Sequence, residues 1–352
     1  MSAVKPILGI IGGGQLGSML ASAAKKIDIK TVIISDDEKA PARKFCDKFI
    51  FTKYNDDNKI NEFTQESNVV TFEFENIPYE ILKKINQKKP VLPHPDINKI
   101  VQNRFKEKNF INEIGIKTTK FSLIEKKEDL FNNEDLLPGI LKTCTLGYDG
   151  KGQYKINSLN EVPNLNIDFD NKYILEKKIT LKKEISIIIT RFKNNTFQTY
   201  EPIENIHQDQ ILKNSKIPAK INQTIYEQSI SWAKKISERL NFIGTLCIEY
   251  FIGKNNVLYV NEIAPRVHNS GHLTINAYNV SQFENHIRAV CNFEKIKLKK
   301  LSNAKMINFL GDQILIQRKR KLQSNEFFYD YLKKEIKPKR KMGHLTILKK
   351  VV

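Results

Sequence analysis

A dense set of polar side chains follows an apolar run that ends near residue 260. The set comprises Asn261, Glu262, Arg266, His268, Asn269 and His272. Glu249 closes a similar apolar run upstream, and residues 253–256 between the two runs read Gly-Lys-Asn-Asn, which is typical of a hairpin turn. Antiparallel pairing would place Glu249 beside Glu262, where their repulsion favours a shared cation such as Mg²⁺. The pattern predicts a metal site for a phosphate-bearing substrate; acids that merely end strands are the alternative.

A glycine-rich turn lies near the start of the chain, between an apolar run at residues 7–11 and an amphipathic segment. Residues 12–17 satisfy the pattern G-x-G-x-x-G, and Asp36 or Asp37 follows a second apolar run. This is the outline of a dinucleotide-binding fingerprint, although such glycines also permit close packing and a helix N-terminus suits any anion. Glu73 ends a further apolar run and is expected at the same edge of the sheet, either facing a ligand or as a solvated loop acid.

A second glycine-rich loop follows a short apolar run at residues 140–143 that carries Lys142. The loop at residues 146–153 reads Leu-Gly-Tyr-Asp-Gly-Lys-Gly-Gln, and glycines let backbone N–H groups close on phosphate oxygens. We expect Lys142 and this loop to cover nucleotide phosphates, with an ordinary glycine-rich hairpin as the alternative. Just upstream, one helix that carries Arg104 is predicted over residues 97–114.

Composition limits the classes of partner. The net charge of the 352 residues is +19, and residues 296–352 hold sixteen Lys or Arg against four acids. No recognition helix or stacking aromatics accompany the basic runs, so we expect no nucleic-acid partner. Apolar runs are too short for a signal sequence or a membrane span, which predicts a cytoplasmic location and no membrane partner. The four cysteines have no CxxC spacing and are expected to be reduced and buried.

Six segments, in order along the chain, resemble the 5-(carboxyamino)imidazole ribonucleotide synthases, the ATP-grasp ligases often called PurK. They are GGQLG at 13–17, FEFE at 72–75, GYDGKGQ at 147–153, HQD at 207–209, NEIAPRVHNSGH at 261–272 and RKMGH at 340–344. No single glycine motif is decisive, but the long block at 261–272 is highly specific. The resemblance covers nearly the whole chain.

The resemblance implies a fold that combines α/β and α+β parts. It has an N-terminal Rossmann-like parallel sheet over residues 1–96, a central ATP-grasp domain over 97–300, and a small C-terminal β-rich domain over 301–352 that packs on the ATP-grasp domain. Alternating strand and helix patterns up to about residue 95 predict the parallel sheet independently. The linker at residues 90–95, which contains three prolines, marks the first boundary.

The implied activity joins bicarbonate to 5-aminoimidazole ribonucleotide (AIR) as ATP becomes ADP and phosphate, through carboxyphosphate, in purine biosynthesis. ATP and Mg²⁺ are the implied cofactors, AIR and bicarbonate the small-molecule partners, and a homodimer the family's assembly.

The resemblance also implies a role for each residue that matches one of the family's motifs. Metal binding falls on Glu249 and Glu262. Nucleotide binding falls on Arg104, Lys142, Gly147, Tyr148, Asp149, Gly150, Lys151, Gly152, Gln153, Glu176, Lys177, Lys178, Ile179, Glu184, His207, Asn261 and Glu262. AIR binding falls on Gln15, Glu73, Tyr148, Asp149, Arg266, Lys333 and Arg340. Bicarbonate chemistry falls on Arg266, Asn269 and His272.

Three positions depart from the family's pattern. Cys144 and Leu146 stand where many relatives have an arginine and a glycine, and Lys337 replaces a common arginine. These differences bear on substrate affinity more than on reaction type. The alternatives are a nicotinamide dehydrogenase that uses residues 12–17 and Asp36, a formate-using ATP-grasp ligase, a nucleic-acid-binding protein supported by charge alone, and a noncatalytic relative.

Overall fold

A parallel sheet with flanking helices forms the N-terminal part of the computed structural model, which describes residues 5–147 and 152–350. Its strands are β1 (Leu8–Ile11), β2 (Thr31–Ser35), β3 (Lys48–Phe51) and β4 (Val69–Phe72), and its helices are α1 (Gln15–Lys26), α2 (Asp57–Glu66) and α3 (Tyr79–Asn86). The strands pair in the order β3-β2-β1-β4, all parallel, as the alternating pattern predicted. Because β1 and β4 are neighbours, the glycine turn after β1 meets Glu73 after β4 at one edge of the sheet.

Two helices follow, α4 (Asp96–Val101) and α5 (Arg104–Glu113), so the prediction of a single helix over residues 97–114 is wrong. The break has a local cause. The Asn103 side chain accepts hydrogen bonds from the backbone N–H groups of Phe105 and Lys106, each at 3.1 Å, and so caps the start of α5. Asparagine is among the strongest helix N-caps. The spacing of apolar residues, from which the single helix was predicted, does not reveal a capping residue inside that helix.

A smaller antiparallel sheet comes next and carries the second glycine-rich loop. Its elements are β5 (Phe121–Ile124), the short helix α6 (Glu128–Phe131), β6 (Gly139–Thr143), β7 (Gln153–Ile156) and β8 (Tyr173–Lys177). The strands pair in the order β5-β8-β6-β7, so β6 lies inside the sheet with Lys142 near its end. The loop between β6 and β7 contains residues 148–151, which lie outside the described residues.

The remaining strands build one large antiparallel sheet. Its central elements are β9 (Leu181–Arg191), β10 (Phe197–Thr199), β11 (Ile203–Gln208), β12 (Ile211–Ile217), α7 (Gln223–Arg239), β13 (Gly244–Gly253), β14 (Leu258–Ala264), α8 (Thr274–Ala277) and α9 (Gln282–Val290). The last elements are β15 (Asn303–Leu310), α10 (Gln313–Arg318), β16 (Glu326–Asp330) and β17 (Lys341–Lys349). Among the described residues the strand order is β14-β13-β9-β11-β12-β15-β17-β16, with β10 paired to β9.

The C-terminal strands extend this sheet. β15 pairs with β12 through Asn214–Ile307 and Ser215–Met306, so hydrogen bonds run without a break from the central strands into β17 and β16. The expected C-terminal β-rich part is therefore joined edge to edge with the central sheet. The segment between β16 and β17 contributes Lys333 and Arg340 to the same cavity as Glu249 of the β13–β14 hairpin.

Apolar packing fixes the parts against one another. The largest cluster lies between α7 and the large sheet and includes the fully buried Ile187, Ile236 and Tyr250. Leu20 of α1 shares another cluster with Phe283 of α9, which joins the N-terminal part to the rest of the chain. No helix among the described residues has the length and apolar character that a bilayer crossing requires. Of the four free cysteines, all but the half-buried Cys46 are buried.

Candidate active site

The hairpin of β13 and β14 pairs Glu249 directly with Glu262, as the turn at residues 253–256 predicted. Directly opposed residues of an antiparallel pair project from the same face of the sheet. Both carboxylates line a cavity of about 810 Å³, a volume typical of small-molecule sites. Burial, reinforced by the neighbouring Glu262 carboxylate, raises the pKa of Glu249. A bound cation would relieve this repulsion, so the two acids fit a divalent metal.

Two cations reach the cavity from separate elements. Arg104, the first residue of α5, places Nη1 3.3 Å from Glu262 Oε2. Lys142 of β6 also lines the cavity, and burial lowers the pKa of its ammonium group even though Glu176 favours the charge. Fixed positive charge beside paired carboxylates is an arrangement that binds a metal–polyphosphate group.

Glu176 is a buried countercharge, a role that the sequence did not indicate. Its carboxylate lies 2.9 Å from Lys142 Nζ and 3.2 Å from Lys108 Nζ. Thr119 also donates a hydrogen bond to Glu176 Oε2, at 2.9 Å. Glu176 was predicted in a nucleotide-binding connector that acts through its backbone groups; its side chain turns towards Lys142, which lines the cavity, and Lys108, which does not. Lys108 lies four residues after Arg104 on α5, and this helical spacing is the signal that could have linked it to the site.

The glycine-rich turn after β1 already holds a carboxylate of this chain. Glu73 accepts hydrogen bonds from the backbone N–H groups of Gly14 and Gly17, the latter at 2.6 Å. A Cβ atom built on Gly14 would lie 2.6 Å from Glu73 Oε1, so the turn needs glycine for this close approach. The donors at the start of α1 are thus engaged by Glu73, whereas a dehydrogenase would need them for a pyrophosphate.

Arg266 is held in place by an acid that the sequence analysis left without a role. Its guanidinium makes a two-pronged ion pair with Glu75, including Nη2 at 3.0 Å from Oε1. Glu107 is a second such acid; it accepts the backbone N–H of Ile263 at 2.6 Å. Burial and repulsion from Glu262 raise the pKa of Glu107 to about 8. Glu75 stands in the predicted FEFE segment, so proximity in sequence to Glu73 was the available signal.

Polar pairs from distant elements line the rest of the cavity. His207 Nδ1 lies 2.6 Å from Glu184 Oε2, and although burial opposes the charge, Glu184 raises the pKa of His207. Lys333 Nζ donates to Gln15 Oε1 at 2.8 Å, which connects the C-terminal segment to the start of α1. The C-terminal extension of the large sheet therefore closes the cavity against the N-terminal part.

The cavity brings together most of the predicted site residues. Those that line it are Gln15, Glu73, Arg104, Lys142, Gly147, Gln153, Glu184, His207, Glu249, Asn261, Glu262, Arg266, Asn269, Lys333 and Arg340. Those that do not are Gly152, Glu176, Lys177, Lys178, Ile179 and His272. Tyr148, Asp149, Gly150 and Lys151 lie outside the described residues.

His272, which was predicted in the bicarbonate set, does not line the cavity. Its ring is fully buried and packs 5.0 Å from His344 and 5.5 Å from Phe283 between ring centroids. Burial lowers the pKa of His272 well below its usual range. Asn269, from the same segment, does line the cavity, and its amide donates to Asn308 Oδ1 at 3.2 Å. His272 thus packs behind the part of the cavity wall that contains Asn269.

Leu146 adopts a backbone conformation that favours glycine. Its φ is +58°, a left-handed conformation that side chains rarely adopt, and 73% of its surface is exposed at the cavity mouth. The left-handed region costs roughly 1–2 kcal/mol for a residue with a Cβ, of which a glycine's greater unfolded-state entropy offsets part.

We therefore expect Leu146→Gly to raise the free energy of unfolding by roughly 0.5–1 kcal/mol, measured by denaturant titration. The matched control is Leu301→Gly, because Leu301 is also exposed but has no positive φ. That variant should be neutral or destabilised. Equal effects of the two substitutions would contradict strain at Leu146.

Three known domain families match the chain. Residues 5–102 match the ribonucleotide synthetase preATP-grasp domain, residues 109–283 the ATP-grasp domain, and residues 304–351 the phosphoribosylaminoimidazole carboxylase C-terminal domain. Their order follows the N-terminal, central and C-terminal parts of the fold.

Relatives that are similar to this chain over most of their length share one name. N5-carboxyaminoimidazole ribonucleotide synthase from Bacillus subtilis is 37% identical, covering 97% of this chain and 91% of the relative. The Brucella melitensis protein of the same name is 39% identical, covering 97% and 96%. The crystal structure of N5-carboxyaminoimidazole synthetase from Staphylococcus aureus complexed with ADP superposes with a TM-score of 0.93 at 36% identity, over 99% of this chain and 95% of that chain. With this likeness spanning the cavity and all three parts, the chain belongs to the N5-carboxyaminoimidazole ribonucleotide synthase family.

Proposed function

We propose that this protein carboxylates AIR with bicarbonate at the expense of ATP, and releases N5-carboxyaminoimidazole ribonucleotide, ADP and phosphate. The observation that carries the proposal is the Glu249–Glu262 pair, which shares one cavity with Arg104 and Lys142. Paired acids beside fixed cations suit a magnesium–triphosphate group. Membership of the family indicates that AIR is the molecule that accepts the carboxyl group.

In this proposal ATP lies with its phosphates over the paired acids. Glu249 and Glu262 would hold Mg²⁺, with Asn261 beside them, and the ion would neutralise charge on the β- and γ-phosphates. Lys142, Arg104 and the loop that starts at Gly147 would contact the phosphate oxygens. The Glu184 carboxylate, which is paired with His207, would accept hydrogen bonds from the ribose hydroxyl groups.

The reaction must first activate bicarbonate, because hydroxide is a poor leaving group. An oxygen of bicarbonate attacks the γ-phosphorus, the bond to the ADP oxygen breaks, and carboxyphosphate forms. The AIR amine then takes up the carboxyl carbon, directly or as released CO₂, while phosphate leaves and the amine loses a proton. The protein contributes position and charge: Arg266, anchored by Glu75, presents a fixed cation to the cavity in which bicarbonate would bind, and Asn269 lines the same cavity.

AIR would bind between the N-terminal and C-terminal parts. Gln15, Glu73, Arg266, Lys333 and Arg340 all line the cavity there, and the bond from Lys333 to Gln15 already joins its two sides. Arg340 has an exposed guanidinium whose Nη1 donates to the Glu335 carbonyl at 3.1 Å. A guanidinium at the cavity mouth suits a ribotide phosphate, because it can donate two parallel hydrogen bonds.

Arg340→Ala should therefore raise the KM for AIR about ten- to a hundredfold with little change in kcat. Loss of a charge-assisted hydrogen bond costs about 1.5–3 kcal/mol, and a phosphate remote from the reacting amine is bound equally in ground and transition states. Arg318→Ala is the matched control, since Arg318 is exposed, paired with Asp330 and absent from the cavity lining. Steady-state kinetics with varied AIR measure both. A fall in kcat alone for Arg340→Ala would contradict the phosphate role.

The direct test is ADP release by the purified protein with Mg·ATP and bicarbonate, with and without AIR, while consumption of the AIR amine is followed. AIR-dependent ADP release with loss of the amine supports the proposal. ADP release that ignores AIR, or turnover with formate in place of bicarbonate, contradicts it. A cytoplasmic homodimer is part of the proposal on the strength of family membership, and sedimentation analysis tests the dimer.

A further inference from the structure

A cysteine, a glutamate and a histidine meet at the wall of the cavity. They are Cys247, Glu249 and His268, and one ligand atom of each lies within 4.8 Å of the others. Cys247 and Glu249 are two residues apart on β13, so their side chains point from the same face of the strand. His268 reaches the pair from the segment after β14, with Nε2 3.6 Å from Glu249 Oε1.

We propose that these three residues form a binding site for Zn²⁺ or a similarly thiophilic divalent cation, distinct from the magnesium site but sharing Glu249 with it. Sulfur, imidazole and carboxylate are the donor set that zinc selects, whereas Mg²⁺ takes oxygen ligands. Tetrahedral zinc places such donors roughly 3.5 Å apart, and His268 and Glu249 already meet that separation. The three ligand atoms lie within 4.8 Å of one another, so the third contact would need the Cys247 sulfur to move towards the ion.

Contacts with Ser270 orient the ring of His268. Its Nδ1 lies 2.9 Å from Ser270 Oγ, and Ser270 Oγ in turn accepts a hydrogen bond from Ser186 at 2.9 Å. The backbone N–H of Ser270 also donates to Nδ1 at 3.3 Å, so contacts on Nδ1 hold the ring with Nε2 turned towards Glu249. Ser270 Oγ also lies 3.9 Å from Cys247 Sγ, so one buried hydroxyl positions two of the three ligands.

The site has an entrance and an open position. Glu249 and His268 line the cavity, and Cys247, which is fully buried, lies behind them. Three protein ligands with one side open to solvent is the pattern of zinc sites that keep an exchangeable position. A thiophilic ion bound here would engage Glu249, so it would compete with Mg·ATP and inhibit turnover.

The test uses the whole protein, freed of metals by chelation, kept reduced, and without nucleotide or AIR. Co²⁺ serves as the probe, because a cobalt–thiolate bond gives a charge-transfer absorbance that oxygen ligands do not. We expect the band to saturate with a single equivalent of Co²⁺, to disappear on addition of Zn²⁺, and to be absent in Cys247→Ser. Cys144→Ser is the matched control, because Cys144 also lines the cavity but lies outside the cluster, and it should retain the band.

A second variant protects against misfolding of Cys247→Ser. His268→Gln keeps the thiol but removes the nitrogen ligand, and it should weaken Co²⁺ binding at least about tenfold. The proposal is overturned if the wild-type protein shows no thiolate band, if the band survives in Cys247→Ser, or if it is lost in Cys144→Ser. Since the titration contains neither ATP nor AIR, its failure would leave the proposed ligase activity untouched, and an inactive ligase would leave the metal site standing.

Discussion

Replacing Glu262 with glutamine is expected to lower the kcat of AIR-dependent ADP release by about a thousandfold while leaving the fold intact. Glutamine preserves the shape of the side chain but removes the negative charge that Glu262 offers to a cation opposite Glu249. Arg104 also loses its ion partner at 3.3 Å and is free to move from the phosphate site. Steady-state kinetics at saturating AIR measure the change, and circular dichroism with a thermal melt reports the fold.

The same substitution at Glu284 is the control for Glu262→Gln. Glu284 pairs with Arg288 at 2.8 Å on α9 and does not line the cavity, so its turnover should stay within about twofold of the wild-type value. Calorimetry adds a second readout: Mg²⁺ should strengthen ATP binding to the wild-type protein and have little effect in Glu262→Gln. Near-normal turnover of Glu262→Gln would place the metal on other residues.

Local patterns predicted the strand that precedes Glu73 and the hairpin that carries the paired acids. The observed β4 begins and ends where its apolar run does, and the turn at residues 253–256 set the register that opposes Glu249 to Glu262. Both features depend on residues close together in sequence, where alternation and turn chemistry report directly on the backbone. The strand–helix alternation likewise predicted the order of elements in the N-terminal sheet.

Contacts between residues that are far apart in sequence could not be predicted from such local patterns. Glu176 reads as the end of an apolar strand, and only the folded chain brings Lys108 of α5 and Lys142 of β6 to its two oxygens. His272 sits in a segment rich in site residues, yet the continuation of the sheet into β17 buries it against His344. Sequence similarity to a family indicates which residue type to expect at a position, whereas the burial of its side chain depends on which elements pack together.

The continuous large sheet explains how one site draws on three parts of the chain. β12 and β15 join the central strands to the C-terminal ones, so Lys333, which follows β16, is held at a fixed distance from the β13–β14 hairpin. Packing of α1 on α9 fixes Gln15 opposite Lys333. Rigid placement of groups from separate elements is what catalysis by positioning requires.

Glu176→Gln is expected to lower the free energy of unfolding by about 3–5 kcal/mol, the largest effect on stability that the structure indicates. Glu176 is 3% exposed and Lys108 1% exposed, so the substitution leaves two buried ammonium groups facing a neutral amide. Denaturant-induced unfolding measures the loss. Glu125→Gln is the matched control, because the Glu125–Lys172 ion pair is exposed and should contribute no more than about 1 kcal/mol.

The pH dependence of unfolding provides an independent check on Glu176. Burial alone would raise its pKa, but Lys108 and Lys142 outweigh burial and hold the pKa of Glu176 at about 2, below its ordinary value of 4.5. A carboxyl group whose pKa is lowered in the folded state stabilises the fold fully above the unfolded value. Its contribution is then lost as pH falls from 4.5 towards 2, because the unfolded chain takes up the proton first. The difference in stability between wild-type protein and Glu176→Gln should therefore be constant near neutral pH and shrink below pH 4.5. A difference that does not change with pH in that window would mean that Glu176 is stabilising through packing and not through its charge.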